Sequence, residues 1–239
     1  RFLNQKLFKK TRKMKKVIIT GTSRGIGFEL AQQFAKNNFQ VLALSRNQKP
    51  LDNLKLKNIE TLSVDVCNQD DLQKVSRHLS EHWGDVDILI HNAGFLINKP
   101  FESLTKDDFL RVYDVNVFGV AALTQICIPY LKKGSHVVAI SSMGGIQGSL
   151  KFPGLAAYSS AKGAVITLSE LLAEEYKAAE IAFNVLAIGA VQTEMLAEAF
   201  PDYQASLNAN EMADYIFNFA TTANKFYNGK VLQVSNTTP

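Results

Sequence analysis

A tyrosine and a lysine stand four residues apart in Tyr158-Ser159-Ser160-Ala161-Lys162, with Ser142 sixteen residues before the tyrosine. On a helix, positions i and i+4 share a face, so phenol and amine are expected side by side. A free phenol, with a pKa of ~10, is a poor acid–base catalyst at neutral pH. A neighbouring ammonium favours the phenolate and is expected to bring that value down. Such a phenol can protonate an alkoxide as it forms at a carbonyl carbon, while Ser142 hydrogen-bonds and polarises the carbonyl oxygen. Alone, Tyr-X-X-X-Lys reads more readily as a solvated helix face; a nucleotide-binding loop upstream gives it the catalytic meaning.

That loop is present. Val17-Ile18-Ile19 runs into Thr20-Gly21-Thr22-Ser23-Arg24-Gly25-Ile26-Gly27 and then into a helical pattern. At a strand-to-helix turn, Gly21 permits the tight turn, Gly25 admits close backbone approach and Gly27 lets the helix pack on the strand. Backbone N–H groups of the loop, Ser23 and Ile26 among its residues, and the positive end of the helix dipole then face a dinucleotide pyrophosphate. About twenty residues beyond such a loop, a carboxylate would bind a ribose 2′-hydroxyl. The sequence there is Leu44-Ser45-Arg46-Asn47, with no acid before Asp52. Ser45 and Arg46 suit a 2′-phosphate, and Arg24 offers a second cation, so NADP(H) is expected over NAD(H).

These groups need a scaffold. Short β-branched runs at 16–20, 40–44, 61–66, 86–91, 137–141, 181–187 and 231–234 alternate with helical patterns. The runs are apolar on both faces, as in strands covered by helices on either side. Asn68, Thr105 and Asn208 each precede an acid by three residues, which predicts helices starting at about 69, 106 and 209. The pattern predicts one α/β domain, a doubly wound parallel sheet in three layers of the Rossmann type, with ligands at the strand C-termini.

The 239 residues are 46% hydrophobic and 20% charged, which excludes a disordered chain or a coiled coil, and no apolar run approaches ~18 residues. The net charge of +4 comes from a leader: Arg1, Lys6, Lys9, Lys10, Arg12, Lys13, Lys15 and Lys16, without an acid. The remainder is acidic, so nucleic-acid binding is not expected. Residues 1–13 read as a segment outside the fold with the natural start at Met14, or as a weak membrane-surface helix; residues 14–239 read as the single domain. Cys67 and Cys127 read as reduced core thiols. His78 and His82 have metal-compatible spacing but no third ligand cluster, so a solvated face is expected and no metal.

The chain resembles the short-chain dehydrogenase/reductase family over nearly all of residues 16–235. The resemblance rests on the glycine loop, Asp65 after the third strand and His91-Asn92-Ala93-Gly94 after the fourth. Asn116 within Asp114-Val115-Asn116-Val117-Phe118-Gly119, Ser141-Ser142, Tyr158 with Lys162, and Gly189-Ala190-Val191-Gln192-Thr193 follow in order. It implies NAD(P)-dependent reduction of a ketone or aldehyde, with Tyr158 as acid and Ser142, Lys162 and Asn116 in support. It further implies that Lys162 holds the nicotinamide ribose and that Asn116 holds a water linking Lys162 to solvent. Asp65 and Val66 would meet the adenine, although Asp65 also reads as a helix-initiating acid; Asn92, Ala93 and Gly94 would lie over the adenine ribose. Val191 and Thr193 would meet the nicotinamide half. The resemblance also implies a homodimer or homotetramer through helices near 107–132 and 158–178, in the cytoplasm.

Three positions depart from the family pattern. His91 replaces an Asn, Ile188 replaces a Pro and is expected to loosen its turn, and Asn228-Gly229-Lys230 replaces Asp-Gly-Gly. Met195, Leu196, Phe200, Tyr203 and Leu207 form an expected apolar lid, with Met143, Ile146 and Phe152 as further lining, which suits a small or modestly bulky carbonyl compound. A 3-oxoacyl-carrier-protein substrate is an alternative, with Lys132-Lys133 as the basic docking residues. A non-catalytic dinucleotide sensor is another, against which Tyr158 and Lys162 both stand intact.

Overall fold

The computed structural model describes residues 13–236. Its first half runs β1 (Lys16–Thr20), α1 (Gly25–Lys36), β2 (Gln40–Ser45), the single turn α2 (Lys49–Asp52), β3 (Ile59–Ser63) and α3 (Gln69–His78). Then come β4 (Val86–His91), α4 (Lys106–Tyr113), α5 (Gly119–Cys127), β5 (Leu131–Ser142), α6 (Ala156–Glu175) and β6 (Ala182–Ile188). A short pairing of β7 (Val191–Gln192) with β8 (Leu207–Asn208) brackets α7 (Glu194–Ala199). Helix α8 (Ala209–Thr222) and β9 (Val231–Val234) follow.

Seven strands form one parallel sheet in the order β3-β2-β1-β4-β5-β6-β9. The order reverses between β1 and β4, which opens a crevice at their C-terminal ends. Alternation along β1 divides the core. Val17 and Ile19 join Leu30 and Phe34 of α1 and Ile216 of α8 on one face. Ile18 joins Leu72 and Val75 of α3 and Leu123 of α5 on the other. Each such side chain contributes about 1.5–3 kcal/mol on leaving water, which is what holds helices on both faces of the sheet.

The three predicted helix starts are where the caps place them. The Asn68 side chain accepts from the backbone N–H of Asp70 and Asp71, and Thr105 and Asn208 form reciprocal capping boxes with Asp108 and Glu211. Strand limits moved more. The third strand begins at Ile59, opposite Val41, and ends at Ser63 rather than spanning 61–66. Val64 continues the ladder by one bond to Ser45, and Asp65 already belongs to the turn into α3. The fifth and sixth strands are Leu131–Ser142 and Ala182–Ile188. Ile188 does not loosen its turn: it extends β6 in register between Ser142 and Val234, a ladder position a proline could not fully serve.

The helical stretch Lys106–Tyr130 has the length and hydropathy to cross a membrane. Here it lies against α3 and α6, with Val112, Asn116 and Leu123 buried. Its middle is a single π turn, Asp114–Phe118, which turns Asn116 inward.

Two smaller expectations need correction. Only Cys127 is a core thiol; Cys67 is exposed, beside Asp65 on the crevice rim. His78 is no solvated face: it is tucked between Trp83 and the Glu60 carboxylate, 3.3 Å away, and burial lowers its pKa. No group of metal-ligating side chains occurs among the described residues. Of the basic leader, residues 1–12 lie outside the described residues, and Lys13 pairs with Asp85 at 3.0 Å.

Candidate active site

The crevice at the β1–β4 switch point has a volume of about 860 Å³. Its floor begins with the glycine loop. Gly21 has φ +74°, and Gly27 faces the Gly21 carbonyl so closely that a Cβ would stand 2.2 Å from that oxygen. The Asn92 side chain ties the end of β4 to this loop, donating to the carbonyls of Thr20 at 3.0 Å and Gly21 at 3.2 Å. The Thr20 hydroxyl accepts the N–H groups of Asn92 and Ala93. Position 92 therefore holds the loop as well as lining the crevice.

At one end, Gly21 donates to the Leu44 carbonyl and so carries the loop up to the end of β2. Arg46 is exposed there, lines the crevice and has no ion pair among the described residues. Two of the groups expected to meet a phosphate here have partners within the protein. The Ser45 hydroxyl is buried and donates to the Asn47 carbonyl at 2.9 Å, so its proton already has a partner. Arg24 is engaged in a two-pronged ion pair with Glu198 of α7, Nη2 to Oε2 at 2.9 Å. Asp65 lines the crevice with Val66, and its Oδ1 accepts the Cys67 N–H at 3.0 Å in the turn ahead of α3, whose first N–H groups are capped by Asn68 instead.

At the other end stand Ser142, Tyr158 and Lys162, all lining the crevice. Tyr158 and Lys162 share a face of α6, with the lysine Nζ 5.6 Å from the phenol ring centroid, and the Ser142 hydroxyl is near enough to favour the phenolate. The direction of the phenol's shift differs from the sequence expectation. Burial pushes Tyr158 up to about 12 against the opposing pull of Ser142. Burial also brings Lys162 down to about 8, and its Nζ donates to the Ile140 carbonyl at 2.7 Å. The amine therefore faces the ring and a main-chain oxygen, and desolvation outweighs its field at the hydroxyl.

Asn116 sits behind this group and does not itself line the crevice. Its amide nitrogen donates to the carbonyls of Phe95 at 2.7 Å and Val112 at 2.8 Å. A Cβ on Gly94 would lie 3.3 Å from Asn116 Oδ1 and 3.7 Å from Lys162 Nζ, so a glycine keeps the space between them open. His91, in the place of the family's Asn, is buried and bonds Thr124 Oγ1 at 2.8 Å. Desolvation, helped by the charge of Lys162, lowers it to about 3, so it stays neutral.

Val191 and Thr193 line the far wall, and the Thr193 hydroxyl caps α7 by accepting the Leu196 N–H. Of the expected lid, Met195, Leu196, Phe200 and Tyr203 face the crevice, as do Met143 and Phe152. Leu207 does not: it packs on the α1–α8 side of the core. Ile146 also lies off the lining, and Phe95, Leu96, Leu150 and Leu155 complete the apolar wall instead. Lys132 and Lys133 lie at the opposite end of β5, ~25 Å along the strand from Ser142 once the bulge between Leu131 and His136 is counted. Lys132 pairs with Asp85 and Asp87, and Lys133 with Glu180 at 2.6 Å.

A glycine-loop crevice ending on a Ser–Tyr–Lys group defines a dinucleotide-dependent oxidoreductase, and comparison with known proteins agrees. The short chain dehydrogenase family matches residues 15–204, and the chain belongs to that family of NAD(P)-dependent oxidoreductases. It is 32% identical over 203 residues to oxidoreductase BOA17 of Botryotinia fuckeliana, covering 80% of this chain and 73% of the relative. It is 32% identical over 191 residues to the (S)-acetoin-forming diacetyl reductase of Staphylococcus aureus, covering 76% and 73%. A 3-ketoacyl-(acyl-carrier-protein) reductase from Brucella melitensis, complexed with NADH, superposes with TM-score 0.82 at 26% identity over 92% of this chain and 96% of that one. ElxO with NADP bound gives 0.81 at 26% identity over 93% and 97%.

Proposed function

We propose that the protein reduces a small ketone or aldehyde to an alcohol with NADPH as hydride donor. One observation carries the reading: Ser142, Tyr158 and Lys162 meet at the end of a crevice that begins at a phosphate-binding loop. The crevice fits a dinucleotide, since Gly21 and Gly27 hold the loop tight against β4 and Gly94 leaves the space beside Lys162 open. Gly21, Ser23, Gly25 and Ile26 would hold the pyrophosphate, Arg46 the 2′-phosphate, and Asp65 and Val66 the adenine. Asn92, Ala93 and Gly94 would flank the adenine ribose, and Val191 and Thr193 the nicotinamide. When bound, that ring supplies the hydride.

The residues supply the rest. The Ser142 hydroxyl donates to the substrate oxygen and holds the carbonyl beside Tyr158. Tyr158 enters the reaction protonated, because its phenol has been raised to about 12, and gives its proton to the oxygen as negative charge develops there. Lys162, released from the Ile140 carbonyl, turns its ammonium to the ribose hydroxyls and stabilises the phenolate left behind. Asn116 fixes Phe95 and the loop after β4 around that amine. The apolar wall of Met143, Phe152, Met195, Leu196 and Phe200 suits a short aliphatic carbonyl compound, and similarity to a diacetyl reductase supports that size class.

Tyr158→Phe tests the assignment. Carbonyl-dependent NADPH oxidation should fall by about 10²–10⁴-fold, with NADPH titration by fluorescence unchanged; near-normal turnover would refute it. Arg46→Asp should lower the ratio of NADPH to NADH efficiency, and an unchanged ratio removes Arg46 from the cofactor assignment. We also propose that the protein self-associates through its outer helices.

A further inference from the structure

Helix α7 lines the crevice and is fastened at two points. Its Glu198 holds Arg24 of the glycine loop, and its C-terminal Ala199 carbonyl accepts from Asn98 Nδ2, in the segment after β4, at 3.0 Å. Glu194, four residues before Glu198 and so on the same helix face, places Oε2 3.5 Å from where a Gly25 Cβ would stand. Two carboxylates thus hang over a loop whose form suits phosphate. Arg24 stands three residues after Gly21, which is bonded to the end of β2 just before Ser45 and Arg46. Both arginines line the same crevice, but Arg46 has no ion pair among the described residues and Arg24 has one.

We infer that Glu198 is a specificity-determining positioning residue: it competes with the cofactor's 2′-phosphate for Arg24 and so sets how strongly the enzyme prefers a phosphorylated nucleotide. The inference rests on the NADP(H) reading above and deepens it. A guanidinium has one planar fork, which a carboxylate or a phosphate can fill, but not both in the same geometry. A 2′-phosphorylated nucleotide must therefore draw Arg24 away from α7, and a nucleotide with a bare 2′-hydroxyl gains little by doing so. Binding of the phosphorylated form thereby unfastens one end of the α7 strap, while the Asn98 end holds.

The measurement is calorimetric titration with 2′,5′-ADP and 5′-AMP, which differ only in the 2′-phosphate, and requires no turnover. Glu198→Gln should tighten 2′,5′-ADP by about two- to five-fold, the range expected when a solvent-exposed ion pair no longer competes. Binding of 5′-AMP should be unchanged. Asn98→Ala, which loosens the same strap without touching Arg24, should leave the preference between the two nucleotides where it was. Equal tightening of both nucleotides by Glu198→Gln, or none, overturns the role of Glu198. Arg24→Ala and Arg46→Ala separate the two levels of the argument. If the unaltered protein shows no preference for 2′,5′-ADP and neither arginine variant weakens it, the NADP(H) reading falls and this inference with it. If both variants weaken it while Glu198→Gln has no effect, only the competition is wrong.

Discussion

Burying an ammonium costs free energy unless its donors are satisfied, and Lys162 is buried with the Ile140 carbonyl as a hydrogen-bond partner. Its pKa falls from 10.5 to about 8, so below pH 8 the folded protein holds a charge that the unfolded chain holds more easily. The full penalty applies below that value, on the order of 3 kcal/mol, and it fades as pH rises from about 8 towards 10.5. Lys162→Met should therefore abolish reduction and yet stabilise the fold at pH 7 by roughly 1–2 kcal/mol, after allowing for the bond lost to Ile140. In urea unfolding, that advantage should shrink above pH 8; a variant less stable than the parent at pH 7 would contradict it. The identity of Tyr158, Lys162 and Ser142 was legible in their spacing, but the direction of the phenol's shift was not. Spacing reports which groups share a helix face. Desolvation depends on the surrounding wall, and that wall comes from segments scattered between Phe95 and Phe200.

Helix starts were readable to the residue because a cap is local chemistry: one side chain meets backbone N–H groups two or three positions on. Strand ends were not, because they depend on a neighbouring strand, as with Ile59 opposite Val41 and Ile188 between Ser142 and Val234. The strap function of α7 was hidden for the same reason, although Glu194 and Glu198 at i and i+4 advertised an acidic face. The junction of β1 with α1 makes the sharpest prediction at this scale. A Cβ at position 27 meets the Gly21 carbonyl at 2.2 Å and Asn92 Nδ2 at 2.5 Å, and the first of these is backbone. Gly27→Ala must push α1 off β1 or open the loop, costing about 1–3 kcal/mol. Dinucleotide binding should weaken more than ten-fold while the far-UV circular dichroism stays close to that of the parent. Gly84→Ala makes a fair comparison: unlike Gly27 it sits at positive φ, and its Cβ meets nothing within 4 Å, so only backbone strain is added and nucleotide binding should survive. Equal binding by the two variants would mean that the close approach at Gly27 does not position the phosphate loop.

Across the whole molecule, strand–helix alternation is enough to imply the sheet, its crevice and the edge on which that crevice opens, because right-handed crossovers leave few arrangements. Alternation says nothing of which outer surfaces stay apolar. The α4–π turn–α5 stretch and α6 lie side by side on one flank, and they leave Leu110, Phe118 and Leu171 exposed, Phe118 by 53% and Leu171 by 61%. Fully burying one such side chain gains about 1.5–3 kcal/mol, and a stable dimer typically buries about 800 Å² per partner. These helices are also the ones that family resemblance assigns to self-association. We expect the protein to sediment as a dimer or larger at micromolar concentration, with this flank facing its copy. Phe118→Asp combined with Leu171→Asp should drive it to monomer, because an unpaired carboxylate in an apolar contact costs several kcal/mol. Neither side chain lies in the core of the subunit, so the monomer should keep its circular dichroism and its affinity for 2′,5′-ADP. An unchanged sedimentation coefficient in the double variant would move the contact to another face, and a monomeric parent would show that these side chains are simply tolerated in water.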